Sequence, residues 1–257
     1  MRADEFSKMR SLENVHWWFG GRRYLVRGLI RRLGLRNPVI LDAGCGTGFA
    51  RRELAEAGTV IGLDACEAAF TPQADSHQVG GCIALIERAP FANDTFDLVV
   101  AMDMLEHLED DESALREIHR VCRANGYLFV TVPAYQWLWS RHDDALGHRR
   151  RYSVAELAAK VREAGFAVCS SSYLVTAVFP CAAAYRILRR RSVQEPVTSD
   201  LFPVPRPLNF ILKLVMRIEC WLAWRMNLPF GLTAFVLARK IEQHSDVLPS
   251  EPAGGSC

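Results

Sequence analysis

Three stretches of this 257-residue chain carry side chains whose types and spacing could do chemistry. In VILDAGCGTGFA, residues 39–50, an apolar run meets Asp42, and glycines then alternate at Gly44, Gly46 and Gly48. Such a turn lets backbone lie along a ligand, and the free N–H groups of a following helix suit a carboxylate as well as a phosphate. The spacing is DxGxGxG, not the GxGxxG of a dinucleotide site. Asp42 stands where a carboxylate could meet an amine. Asp64 closes the next apolar run, where ribose hydroxyls are expected. A ligand with an amino acid at one end and a ribose at the other fits better than NAD does.

The second stretch, MDMLEHLED, sets Asp103, Glu106 and His107 together as possible oxygen and imidazole ligands of a metal. The third, PAYQWLWSRHDDALGHRRRYS (Pro133–Ser153), holds Tyr135, Trp137, Trp139 and Tyr152, His142 and His148, and the triplet Arg149–Arg151. Aromatic faces suit a ring or sugar, and Arg binds phosphate or carboxylate bidentately. Imidazole is the side chain poised to take a proton near neutral pH. The same arginines could instead form a solvated face, and the Trp pair a lid packed on the core.

The elements that must position these residues follow from periodicity and breakers. Residues 8–33 read as a helix containing the aromatic knot HWWFGGRRY, followed by the breaker Asn37-Pro38. Strands are expected at Val39–Leu41, Val60–Leu63, Cys82–Ile86, Phe96–Ala101, Tyr127–Val132, Phe166–Tyr173 and Thr233–Arg239. Helices are expected at Phe49–Ala57, at Asp111–Arg123 stopped by Asn125-Gly126, and at Val154–Ala164. Strands alternating with helices mean an α/β fold, a doubly wound, mostly parallel seven-stranded sheet. Ligands bind beyond the carboxyl ends of such strands, where Asp42, Asp64, the segment after Ile86, and Asp103 all fall.

Composition narrows the classes. Lys and Arg total 31 against 29 Asp and Glu, which gives no nucleic-acid signature. The eight Cys form no CxxC, so they read as free thiols of a reducing cytosol rather than a disulfide framework. The charged N-terminal segment has no apolar core of a signal peptide.

Over roughly residues 39–170 the chain resembles the class I S-adenosylmethionine-dependent methyltransferases, and their type 11 group in particular. DAGCGTG matches the glycine motif of that family. APFANDTFDLVVAMDMLEHLEDDESALREIHRVCRANGYLFVTVP matches the run that follows it. The resemblance implies an enzyme using S-adenosyl-L-methionine, with Gly44, Cys45, Gly46 and Gly48 along the methionine and ribose, Asp42 near the amine and Asp64 on the ribose hydroxyls. Met102, at the end of the fourth strand, would also face the cofactor. The family's acidic residue for the adenine falls on Leu85 here, so that contact is assigned to the backbone of Ile86 or to Glu87. The DxxEH spacing resembles ExxEH in some O-methyltransferases of ubiquinone biosynthesis and of small-RNA 3′ ends, where a divalent metal is bound. In the alternative, Glu106 and His107 only cap the next helix.

Transfer to oxygen also needs a base or a metal, and His148, His142 and His107 are the candidates. Tyr135, Trp137, Trp139 and Arg150 are expected to hold the acceptor, with Trp17 and Trp18 folding over it. The organisation read from the sequence is a helical lid at 1–36, a cofactor-binding core at 37–173 and 229–242, an apolar helical insertion at 174–228 and a tail at 243–257. In the insertion, Asn209, Lys213 and Arg217 form a narrow polar stripe on an otherwise apolar helix. That face suits a membrane surface, a homodimer or a cap over the cleft. The expected activity is O-methylation of a small molecule or lipid-linked saccharide, without nucleic acid, in the cytoplasm or at the inner face of the membrane. An RNA methyltransferase of the same fold and a non-catalytic cofactor-binding scaffold remain as alternatives.

Overall fold

A computed structural model describes residues 3–70, 80–189 and 203–241. Seven strands form one sheet: β1 (Val39–Ala43), β2 (Thr59–Asp64), β3 (Gly81–Ile83), β4 (Phe96–Met102), β5 (Cys122–Pro133), β6 (Phe166–Leu174) and β7 (Thr233–Lys240). Their order is β3-β2-β1-β4-β5-β7-β6. The first five run parallel, and β7 enters antiparallel between β5 and β6. Both faces of the central strands are covered, which is why they read as unbroken apolar runs rather than alternating ones. Leu41, Val99 and Val130 point into one core, and Ile40, Leu98 and Phe129 into the other.

The helices are α1 (Ala3–Leu12), α2 (Trp17–Leu33), α3 (Arg51–Ala55), α4 (Asp111–Val121), α5 (Arg141–Leu146), α6 (Val154–Glu163), α7 (Phe179–Arg189) and α8 (Arg206–Ala223). The helix expected at 8–33 is two. Chain direction changes before His16, whose Nδ1 caps α2 by accepting from the Trp18 amide. Gly34, at φ 59°, ends α2 in the left-handed conformation. Asp111–Val121 stops short of the expected Arg123, because Cys122 already pairs with Phe96 as the start of β5. The third strand is likewise shorter, and Ile86–Arg88 is a 3₁₀ turn.

One face of the sheet is covered by α2, and α8 packs along it. Gly28 permits the approach: a Cβ there would stand 2.3 Å from Trp224 Nε1. Arg190, Arg191 and the tail from 242 onward lie outside the described residues.

Candidate active site

The carboxyl ends of β1, β2, β4 and β5 open onto a cavity of ≈ 950 Å³. Its far side is closed by the start of α2, through Trp17, Trp18 and Arg22, and by Val178, Cys181 and Ala182 at α7. The glycine turn forms one wall. Gly44 and Cys45 donate their amides to the Leu63 carbonyl, at 2.8 and 3.1 Å. Gly46 has φ 52°, and a Cβ on it would enter space with only the Gly44 oxygen near, at 3.9 Å. Asp64 at the tip of β2 lines the cavity and accepts from the Gly46 and Cys66 amides, each at 2.8 Å. The carboxylate thereby sets the turn against the second strand.

Asp42 and Gly48 stand behind this wall, not on it. Asp42 is buried with Arg51 Nε 3.9 Å away, and burial pushes its carboxyl up to about 6. Its Oδ2 has no hydrogen-bond partner among the described residues. Cys45 lines the cavity, and burial raises its thiol far above the ordinary range. Ile86 and Glu87 line the opposite end, where buried Glu87 Oε2 also has no hydrogen-bond partner among the described residues. Met102 lines the wall at the tip of β4.

The expected trio of Asp103, Glu106 and His107 is regrouped. Asp103, at φ 53°, accepts from Arg22 Nη2 at 2.6 and 2.7 Å and from the Thr131 hydroxyl at 3.2 Å. The structure gathers Glu106 and His107 with His148 instead, with ligand atoms all within 4.8 Å of one another. Glu106 is fully buried, and neither carboxyl oxygen has a hydrogen-bond partner among the described residues. Burial, then the nearby Asp103 charge, raise its carboxyl well above the usual range. Burial and then His148 lower His107 to about 4.

His148 is held by Asp143. Ser140 opens α5 with a capping box, S-x-x-D, in which the Asp143 carboxylate accepts from the Ser140 amide at 2.8 Å. Arg151 grips the same carboxylate with two hydrogen bonds, at 2.7 and 3.0 Å. Burial would raise the Asp143 carboxyl, but His148 and Arg151 outweigh it and hold it well below the usual range. An ionised Asp143 can only accept, so His148 Nδ1 donates to Asp143 Oδ1 at 2.8 Å. Nε2, the other ring nitrogen, stands 4.0 Å from Glu106 Oε1, with His148 on the cavity wall. His142 also lines the cavity, its ring 6.1 Å from that of His148.

The other expected acceptor residues go elsewhere. Tyr135 stacks on Tyr173 at 4.9 Å and lies 5.7 Å from Trp137, in an aromatic cluster with Phe179. Trp139 Nε1 donates to Asp144. Neither Tyr135, Trp137, Trp139 nor Arg150 is on the cavity wall. Arg150 donates to the Leu108 and Glu109 carbonyls and pairs with Asp111, pinning this loop to the start of α4. Arg149 donates to the His107 carbonyl and pairs with Glu109. Of the Arg triplet, Arg151 alone lines the cavity. Each guanidinium satisfies carbonyls or carboxylates that the fold leaves open. Trp17 and Trp18, in contrast, do reach the cavity.

The sequence places Arg22 in the aromatic knot expected over the cleft but gives it no role of its own. Its Nη2 holds Asp103, while Nε and Nη1 are buried without hydrogen-bond partners among the described residues. It lines the cavity with its guanidinium 4.5 Å from the Trp18 ring centroid. The only local signal was a basic residue inside an aromatic, glycine-containing helix.

A family model described as a methyltransferase domain matches residues 41–130. The chain is 30% identical over 164 residues to the ubiquinone biosynthesis O-methyltransferase of Pseudomonas aeruginosa, a match covering 56% of this chain and 70% of that protein. This chain belongs to the class I S-adenosylmethionine-dependent methyltransferases. The methyltransferase is also 32% identical over 115 residues to the protein of that description from Pseudomonas paraeruginosa, over 42% of this chain and 49% of the relative, about half its length. Among solved structures it is similar in fold to Burkholderia thailandensis 1,6-didemethyltoxoflavin-N1-methyltransferase with bound 1,6-didemethyltoxoflavin and S-adenosylhomocysteine. That likeness has a TM-score of 0.54 at 19% identity and covers 93% of this chain and 87% of that one.

The residues present fit the family's cofactor. The buried, unpartnered N–H groups of Arg22 suit a carboxylate, the open space over Gly46 suits a close-lying chain, and Asp64 suits hydroxyls. They fit a divalent cation as well: Glu106 offers two carboxyl oxygens that bond to none of the described residues, and Asp143 orients the His148 ring as an outer-shell carboxylate does.

Proposed function

We propose that this methyltransferase moves a methyl group from S-adenosylmethionine to an oxygen of a small acceptor, with His148 as general base. The observation that carries the reading is the Asp143–His148 pair, in which His148 Nε2 faces buried Glu106 in the same cavity as the glycine turn. The cofactor supplies, when bound, an electrophilic methyl carried on sulfur. Asp64 would hold the ribose hydroxyls, Glu87 or the Ile86 backbone the adenine, and Arg22 the carboxylate. His148 would take the acceptor's proton at Nε2, and Asp143 stabilises the imidazolium that results. Trp17, Trp18 and Leu146 offer the acceptor apolar walls. The O-methyltransferase relatives support oxygen as the target. The nearly balanced charge does not favour RNA, and the seven described cysteines, all free, support a reducing compartment.

The grouping of Glu106, His107 and His148 favours a second reading, in which these three hold a divalent cation that lowers the acceptor's pKa. One assay separates the two. The chain is given methyl-labelled adenosylmethionine and a small-molecule extract, and label transfer is followed in chelator and with Mg²⁺ restored. Under the base reading, transfer persists in chelator, and His148→Ala lowers turnover about 10²-fold with adenosylhomocysteine affinity unchanged. Loss in EDTA with recovery in Mg²⁺ assigns the cluster to metal. Adenosylhomocysteine binding with no transfer to any extract would leave a scaffold.

A further inference from the structure

Helix α8 packs on the protein through Met216, Cys220 and Ala223. Its polar stripe runs along the edge of that contact, beside α2. Asn209 accepts from the Trp17 amide and donates to the Val15 carbonyl, both at 2.8 Å. Lys213 lies along Gly20, and the Arg217 guanidinium stands 5.9 Å from the Tyr24 ring centroid, so the stripe follows α2. Glu219 is buried, accepting from the Thr176 and Ala177 amides. The side chains facing out are Phe210, Ile211, Leu214, Ile218 and Trp221, from 51% to 70% exposed. A surface helix normally buries such a row, and an exposed one marks an interaction site.

The charge around this row says what kind of surface it meets. From 203 to 228 the chain carries four basic residues, Arg206, Lys213, Arg217 and Arg225, and a single acid, Glu219, which is turned inward. Arg31 and Arg32 at the end of α2 are exposed, and Arg32 donates to the Trp224 carbonyl beside the end of α8. Arg225 lies 3.9 Å over the Trp221 ring, so a cation and an aromatic ring share one edge of the apolar row. A second copy of this chain would bring cations against cations across such a face. An anionic lipid surface would take the apolar row into its acyl boundary and the arginines into its headgroups. No helix among the described residues is long and apolar enough to cross a membrane, so the contact is one of lying on the surface.

We propose that the outer face of α8 docks this methyltransferase on an anionic membrane. The end of α7 carries two further exposed apolar side chains, Ile187 and Leu188, while the start of that helix, at Cys181 and Ala182, lines the cavity. The proposal stands on this face alone and not on the chemistry assigned to His148.

The test is sedimentation of the full chain with vesicles of phosphatidylcholine containing phosphatidylglycerol, against vesicles of phosphatidylcholine alone. The chain is expected to pellet with the anionic vesicles, less so at high salt, and to blue-shift its tryptophan emission in a way that Trp221→Phe removes. Leu214→Ser with Ile218→Ser should raise the lipid needed for half-binding at least tenfold, while melting temperature and adenosylhomocysteine affinity stay as in the parent. Three results overturn the proposal. They are no pelleting with either vesicle, pelleting that the double variant leaves unchanged, and a dimer in solution that the double variant converts to monomer.

Discussion

Replacing Arg22 by Lys probes how the cofactor's amino-acid end is held. Arg22 serves two anions at once in the proposed complex. Nη2 grips Asp103 at 2.6 Å, and buried Nε and Nη1 are left for a carboxylate. Lys keeps the positive charge that Asp103 needs, so the fold is not left with an unpaired acid. It does not keep the planar fork, because one ammonium cannot reach both partners with the same geometry. The ligand carboxylate then loses at least one charge-assisted hydrogen bond, of about 1.5–3 kcal/mol. Affinity for adenosylhomocysteine should fall roughly 10- to 150-fold by that amount. Calorimetric titration measures it. The control ligand is the adenosyl thioether amine that lacks only the carboxylate, whose affinity should be the same for parent and variant. If both ligands weaken equally, or if neither weakens, Arg22 does not bind the carboxylate and serves only to hold Asp103.

Three further outcomes follow from particular contacts. Gly46→Val forces a branched side chain to φ 52° and into the open space above the turn, and should weaken adenosylhomocysteine at least tenfold by calorimetry, about 1.4 kcal/mol. Arg150→Ala removes bonds to the Leu108 and Glu109 carbonyls, so it should lower the melting temperature by about 2–4 °C and leave the Michaelis constant of any acceptor in place; a raised constant at unchanged stability would restore Arg150 to the acceptor. Burial raises the Asp42 carboxyl from its ordinary 3.8 to about 6 in the folded chain, so its contribution is present below about pH 4 and lost as pH rises through 6; Asp42→Asn should gain about 2 kcal/mol on the parent between pH 4.5 and pH 7, read by urea unfolding at both, and a difference that does not change with pH would refute it.

Much of this protein was legible along the chain because its signals are local. An apolar run before DAGCGTG, and another before Asp64, needed only strand periodicity and glycine conformation to be read, and both ends meet at one cavity. The sheet order places them there, since parallel strands send their carboxyl ends to the same edge. Boundaries were less legible where a neighbour decides them. Cys122 leaves its helix because Phe96 offers it a strand partner, and no local residue says so.

What only the tertiary structure decided are pairings between residues far apart in the chain or on different faces of one segment. Arg22 and Asp103 are separated by 81 positions and meet because α2 lies across the end of β4. His107 and Glu106 acquire His148 as a neighbour through the loop that Arg149 and Arg150 staple to the start of α4. The Arg triplet reads as an anion site in one dimension, and its carbonyl and carboxylate partners are invisible there. The stripe of Asn209, Lys213 and Arg217 was plain in the sequence, but its direction was not. A helical period says which residues share a face, and only the hydrogen bonds Asn209 makes with the Trp17 amide and the Val15 carbonyl say that this stripe lies beside α2.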